Sequence, residues 1–137
     1  MGYRSDVAYV IRFATTEQRD AYMELVKHRN DQDMINALED CESRYEQPII
    51  TFETSDIKWY PDYVYVRGHN ALMEWAVETF PDDAGWRCIE LGEDGQEEIH
   101  EGGECDDLYD YVDTHHTLSI DFPEVITEVL STTTTEE

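Results

Sequence analysis

Basic residues are few in this chain. Among 137 residues there are 9 Lys and Arg against 33 Asp and Glu, and the only lysines are Lys27 and Lys58. Beyond position 67 a single base, Arg87, faces 20 acids, whereas residues 1–67 hold 8 bases and 13 acids. The net charge of −24 therefore divides into −5 and −19. Phosphate binding needs clustered Lys and Arg, so direct nucleic-acid binding is excluded, and an anionic membrane surface repels the chain for the same reason.

Long apolar runs are missing too. No stretch reaches the roughly 18 residues that a membrane span needs, and the N-terminus lacks a basic-then-apolar signal pattern. Cysteine is scarce: Cys41, Cys88 and Cys105 are odd in number and far apart. That pattern predicts reduced thiols and a cytoplasmic location rather than a disulfide framework.

What is present argues for folding. Nine Tyr, 4 Phe and 3 Trp are far more aromatic residues than a disordered acidic chain carries. Length predicts one domain over residues 1–123, followed by a flexible, acidic and Thr-rich tail over 124–137. Self-repulsion at −24 predicts stability that rises with added salt and with moderate acidification.

Asp6 to Phe13 reads as a strand of β-branched and aromatic residues. Thr15 and Gln18 have capping-box spacing and predict a helix with Ala21, Tyr22, Leu25 and Val26 on its inner face. A second helix follows Asp31, with Met34, Ile35 and Leu38 on one face. After Pro48, Ile49–Glu53 reads as a strand, and Thr54-Ser55-Asp56 as a hairpin turn into Ile57–Tyr60. Tyr63 to Phe80 reads as a helix that Gly68 weakens, ended by Pro81-Asp82-Asp83. Trp86–Leu91 and Glu97–Glu101 read as strands joined by the turn Gly92–Gly95. Gly102-Gly103 reads as a break, and Leu108–Phe122 as extended chain. The order predicts a two-layer α+β domain, with helices packed on one face of a mostly antiparallel sheet.

Fourteen acids lie within the 36 residues from Glu78 to Asp113, opposed by Arg87 alone. A solvated surface is the simplest account. Adaptation to high salt would coat the whole surface, which the −5 and −19 halves contradict. The directed account is mimicry of a nucleic-acid backbone. On a strand, residues i and i+2 stand about 6.6–6.8 Å apart on one face, close to the spacing of phosphates along a strand of DNA. Glu93, Asp94, Glu97, Glu98, Glu101, Glu104, Asp106, Asp107, Asp110 and Asp113 are the candidate partner-binding carboxylates, with Tyr109 and Tyr111 as apolar anchors among them. Trp59, Tyr60, Tyr63 and Tyr65 cluster around Pro61 as half core and half exposed patch, a second contact surface.

Motifs that carry chemistry fit poorly. Aligning Gly95 with the turn glycine of an EF-hand puts Glu101 in the last position but leaves Gly92 in the third without a ligand oxygen. Cys88, His100, Cys105, His115 and His116 lack zinc-site spacing. Nothing in the sequence orients a Cys–His nucleophile, and surrounding acids raise a thiol's pKa. The expectation is a protein that is not an enzyme and has no cofactor. A divalent-metal-binding protein is the alternative from another class.

Gly2-Tyr3-Arg4-Ser5-Asp6-Val7, Asp56-Ile57-Lys58-Trp59-Tyr60 and Leu91-Gly92-Glu93-Asp94 resemble small phage and prophage proteins of unassigned function. The resemblance is scattered over about the first 100 residues and implies no catalytic residue. It implies a phage context, in which small acidic proteins block nucleases, restriction systems or polymerases. The expected function is an acidic inhibitor that occupies the basic nucleic-acid-binding surface of a host protein in the host cytoplasm. A homodimer is compatible with that expectation. The alternative is an interaction module that uses the aromatic patch, with acidity serving solubility or salt adaptation.

Overall fold

The strand β1 (Ser5–Arg12) is central to a sheet in this computed structural model, which describes residues 4–43, 47–104, 112–114 and 118–120. Its near-continuous apolar run is buried on both faces: Val7, Tyr9 and Ile11 on one, Ala8 and Val10 on the other. The chain continues through α1 (Thr16–Arg29), α2 (Gln32–Glu39), β2 (Glu42–Ser43), β3 (Ile49–Ile57), α3 (Val64–Thr79), β4 (Gly85–Gly92), β5 (Glu97–Gly103), β6 (Val112–Thr114) and β7 (Leu118–Ile120). Five strands form one sheet in the order β2-β3-β1-β4-β5, and every pairing in it is antiparallel. Strands β3 and β4 both flank β1, so they run parallel to each other and α3 is the crossover between them. The result is the α+β architecture that the element order predicts.

All three helices contribute to one core with the odd-numbered face of β1. Tyr22 and Val26 of α1, Met34 and Ala37 of α2, and Val66, Leu72, Met73 and Ala76 of α3 pack with Tyr9, Ile11, Ile50, Phe52 and Cys88. On the far face, Ala8, Val10, Ile49 and Ile89 are fully buried. The ribbon of β6 and β7 contacts β1 and β4.

Side-chain caps explain the starts of α1 and α2. Thr15 Oγ1 accepts from the Gln18 N–H at 3.0 Å, while Gln18 Oε1 accepts from the Ala14 N–H at 3.0 Å. Asn30, at φ 64, turns the chain, and Asp31 Oδ1 accepts from the N–H groups of Asp33 and Met34. The inner face of α1 is rotated from the expected one. Arg19, Tyr22 and Val26 are buried, while Ala21 is exposed and Leu25 is 42% exposed. Arg19 tolerates burial because its Nη1 donates to the Gln47 carbonyl at 2.6 Å.

Two sequence expectations are corrected. Thr54-Ser55-Asp56 is not a hairpin turn, because β3 runs through it to Ile57. The pairing with β1 slips by one residue between Ser5 and Val7, and Asp56 at φ 55 forms the bulge. The Asp56 N–H donates to Asp6 Oδ1 at 2.9 Å, and its carbonyl accepts from Arg4 Nη1 at 2.9 Å. Turn-forming residues were therefore used to bend a strand. Nor is Gly102-Gly103 a break: β5 continues through both. A Cβ on Gly102 would lie 2.5 Å from Trp86 Nε1, so the glycine lets the indole lie across the strand. The tail over 124–137 lies outside the described residues.

Candidate functional site

Strands β4 and β5 form a hairpin whose turn fixes its register. The Gly95 N–H donates to the Gly92 carbonyl at 2.9 Å, and Gly95 itself sits at φ 86, where glycine is unstrained. Asp94 Oδ1 accepts from the Gln96 N–H at 3.1 Å, and Glu93 Oε1 accepts from the Arg4 N–H at 3.0 Å. Gly95 is thus a hairpin residue rather than the glycine of a helix–loop–helix calcium site.

That register sorts the acids onto two faces. Trp86 pairs with Gly102, Cys88 with His100 and Glu90 with Glu98 on the helix side. Arg87 pairs with Glu101, Ile89 with Ile99 and Leu91 with Glu97 on the far side. Glu97 and Glu101 therefore share a face four residues apart, about 13–14 Å along the strand, with Ile99 between them. That is twice the phosphate-like interval. Glu101 Oε2 lies 2.5 Å from Arg87 Nη1, so the lone base of the second half is engaged with an acid of the belt. Glu104 contributes its backbone, accepting from Arg12 Nη2 at 3.1 Å. Asp113 lies on β6, whereas Asp106, Asp107, Tyr109, Asp110 and Tyr111 lie outside the described residues.

On the helix side the hairpin floors a cleft of about 560 Å³. Trp59, Tyr60 and Pro61 form one wall, with Val66, Asn70, Met73 and Glu74 of α3 beside them. Trp86, Glu90, Glu98 and His100 rise from the strands, and Asp94 and Gln96 close the turn end. Among the described residues four carboxylates line this space and no Lys or Arg does. Of the predicted belt the cleft gathers Asp94 and Glu98; of the predicted aromatic cluster, Trp59 and Tyr60. Trp59 belongs to the core, stacked 5.9 Å from Phe52, while Tyr63 and Tyr65 stay exposed.

Glu74, Trp86, Glu90 and His100 were missed as site residues. For three of them a signal existed: once the turn is placed at Gly92–Gly95, the cross-strand pairs follow. Glu74 had none, because only the packing of α3 brings it there.

Glu90 is the most perturbed of these acids. Its side chain is 20% exposed, and burial raises its pKa above 4.5, with opposed Glu98 adding to the rise. His100 Nε2, 3.3 Å from Glu90 Oε2, acts the other way. A carboxyl with a raised folded-state pKa adds stability that is full below its unfolded value and lost as pH rises through the folded one. Glu90→Gln is accordingly expected to stabilise the protein at neutral pH by about 0.2–1 kcal/mol, the range for relieving a like-charge pair across strands. In urea titrations this gain should vanish below pH 4.5; an equal gain at both pH values would remove Glu90 as its source.

Cys41 and His69 both contact Tyr9 in the core. Tyr9 stands between them, its oxygen 2.7 Å from His69 Nδ1 and 3.3 Å from Cys41 Sγ. Burial raises the Cys41 thiol to about 12 and keeps it protonated, which opposes a nucleophilic role. Among the described residues no group of three or more His, Cys, Asp or Glu is placed to hold a metal ion, and no helix is long and apolar enough to cross a membrane.

The fold and cleft define an α+β domain with an acidic hairpin set against an aromatic wall. No protein-family profile, curated protein or solved structure matches the chain.

Proposed function

We propose that this protein is a non-enzymatic, phage-type inhibitor that binds the basic nucleic-acid-binding surface of a host protein through its acidic hairpin. The observation that carries the reading is the cleft, where four carboxylates and an aromatic wall meet without a Lys or Arg among the described residues. Such a lining repels nucleic acid and attracts the Lys- and Arg-rich surfaces that bind it. The exposed residues Glu97, Glu98 and Glu101 of β5, with Glu104 just after it, extend the same field along the sheet edge. Aromatic side chains beside the charges add apolar contact, so the partner is recognised by more than steering. Charge complementarity carries the reading, and a residue-for-phosphate copy of DNA is not needed.

The test is competition. Protein immobilised at low salt is expected to retain nucleic-acid-binding proteins that elute in a salt gradient and that added DNA or RNA displaces. Changing Glu97, Glu98, Glu101 and Glu104 to Gln should abolish that retention. Binding that ignores salt, or that survives the four substitutions, would overturn the reading.

A further inference from the structure

We propose that the cleft between α3 and the β4–β5 hairpin receives an arginine side chain of the basic partner. This rests on the proposed function and names what the site recognises. The cleft, at about 560 Å³, has the size of an ordinary ligand site. Its lining is divided by chemistry: Trp59, Tyr60, Trp86, Met73 and Val66 supply apolar and aromatic surface, and Glu90 and Glu98 supply charge.

Three features select a guanidinium. Glu90 and Glu98 stand directly opposite each other on neighbouring strands, an arrangement that costs stability until a cation lies between them. Glu90 is largely withdrawn from water, with His100 Nε2 3.3 Å from its Oε2, so a guanidinium that shares or replaces the His100 contact forms a charge-assisted bond with little competition from solvent. The partly exposed Trp86 indole and Tyr60 phenol, backed by buried Trp59, are the rings against which a planar cation stacks. The fold already contains one such stack, with the Arg29 guanidinium carbon 4.4 Å from the Trp75 ring centre. An ammonium matches the charge but neither the plane nor the paired donors. A divalent metal lacks a preformed set of three ligands among the described residues, and an anion is repelled. Arginine is thus the occupant that uses both halves of the lining.

The test uses the full chain and three peptides of one sequence, carrying arginine, lysine or citrulline at the same positions. Indole N–H signals of Trp59, Trp75 and Trp86 are followed by NMR during titration. The arginine peptide is expected to shift Trp59 and Trp86 while leaving Trp75 in place. It should bind several-fold more tightly than the lysine peptide, and the citrulline peptide should not bind. Glu98→Gln, on an exposed strand position, and the double variant E90Q/E98Q should weaken arginine binding by about tenfold or more. Equal affinity for arginine and lysine, with shifts confined to hairpin amides, would overturn the cleft assignment while leaving the acidic-surface reading standing. No binding of either cationic peptide at low salt would overturn both.

Discussion

Gly68→Ala is expected to destabilise the protein by about 1–3 kcal/mol, the usual cost of overpacking a filled site. The sign is the opposite of the intrinsic one, since alanine favours a helix interior over glycine by about 1 kcal/mol. Geometry decides between them. A Cβ on Gly68 would lie 2.4 Å from the Asp33 carbonyl oxygen and 2.9 Å from the Asp33 carbonyl carbon. Those atoms belong to the first turn of α2, so relief requires moving one helix away from the other. Moving α3 also disturbs Leu72 and Met73, which are buried in the shared core. Chemical denaturation should show the loss, while Arg67→Ala, at an exposed position one residue earlier, should stay within about 0.5 kcal/mol of the parent. A Gly68→Ala protein as stable as the parent would contradict the close approach of α2 and α3.

Tyr9→Phe is expected to cost about 1–3 kcal/mol, because it strips a hydrogen-bond donor from a buried acceptor. Burial raises the Tyr9 pKa and lowers that of His69, so the hydroxyl is protonated and the imidazole neutral. Tyr9 then donates to His69 Nδ1, and His69 Nε2–H donates to Asp40 Oδ2 at 3.3 Å. Phe52 and Trp59 pack on the ring, with centroids 4.1 and 5.5 Å from it. The pH dependence follows. His69 has a folded-state pKa below 6.5, so its contribution is full above 6.5 and is lost as pH falls through the folded value. Without the Tyr9 donor the neutral ring loses support, and the acid limb below pH 6.5 should become shallower. Stability curves of the two proteins on both sides of that pH check this; parallel curves would remove His69 from the acid limb. His69 also opposes the gain from acidification that Glu90 and overall self-repulsion provide, so the pH optimum reflects their balance.

Much of the local structure was legible from short-range chemistry. Thr15 and Gln18 announced α1 because a cap needs only residues three apart. The β-branched and aromatic run of β1 announced a strand, while its central place in the sheet came only with the strand order. The Gly92–Gly95 turn announced the hairpin through its glycine at positive φ. Failures came where a local signal served a distant partner. Thr54-Ser55-Asp56 has turn chemistry, yet pairing with β1 holds it in a strand and turns the same residues into a bulge. Gly68 read as a weakness of α3, but its bare backbone is what α2 packs against. Gly102 read as a break because the indole it accommodates is sixteen positions away.

The site divides along the same line. The sequence by itself determined the −19 of the second half and the kinds of residue available to meet a partner, because charge and composition survive any folding. It could also place Glu90 opposite Glu98, once the turn was found. Only the tertiary structure decided that α3, crossing from β3 to β4, sets Trp59 and Tyr60 over those two carboxylates. It likewise sent Glu97 and Glu101 to the other face and joined Glu101 to Arg87. Periodicity reports which side of an element is apolar, whereas a cleft forms where the sides of three elements meet, and that depends on strand order and helix crossing.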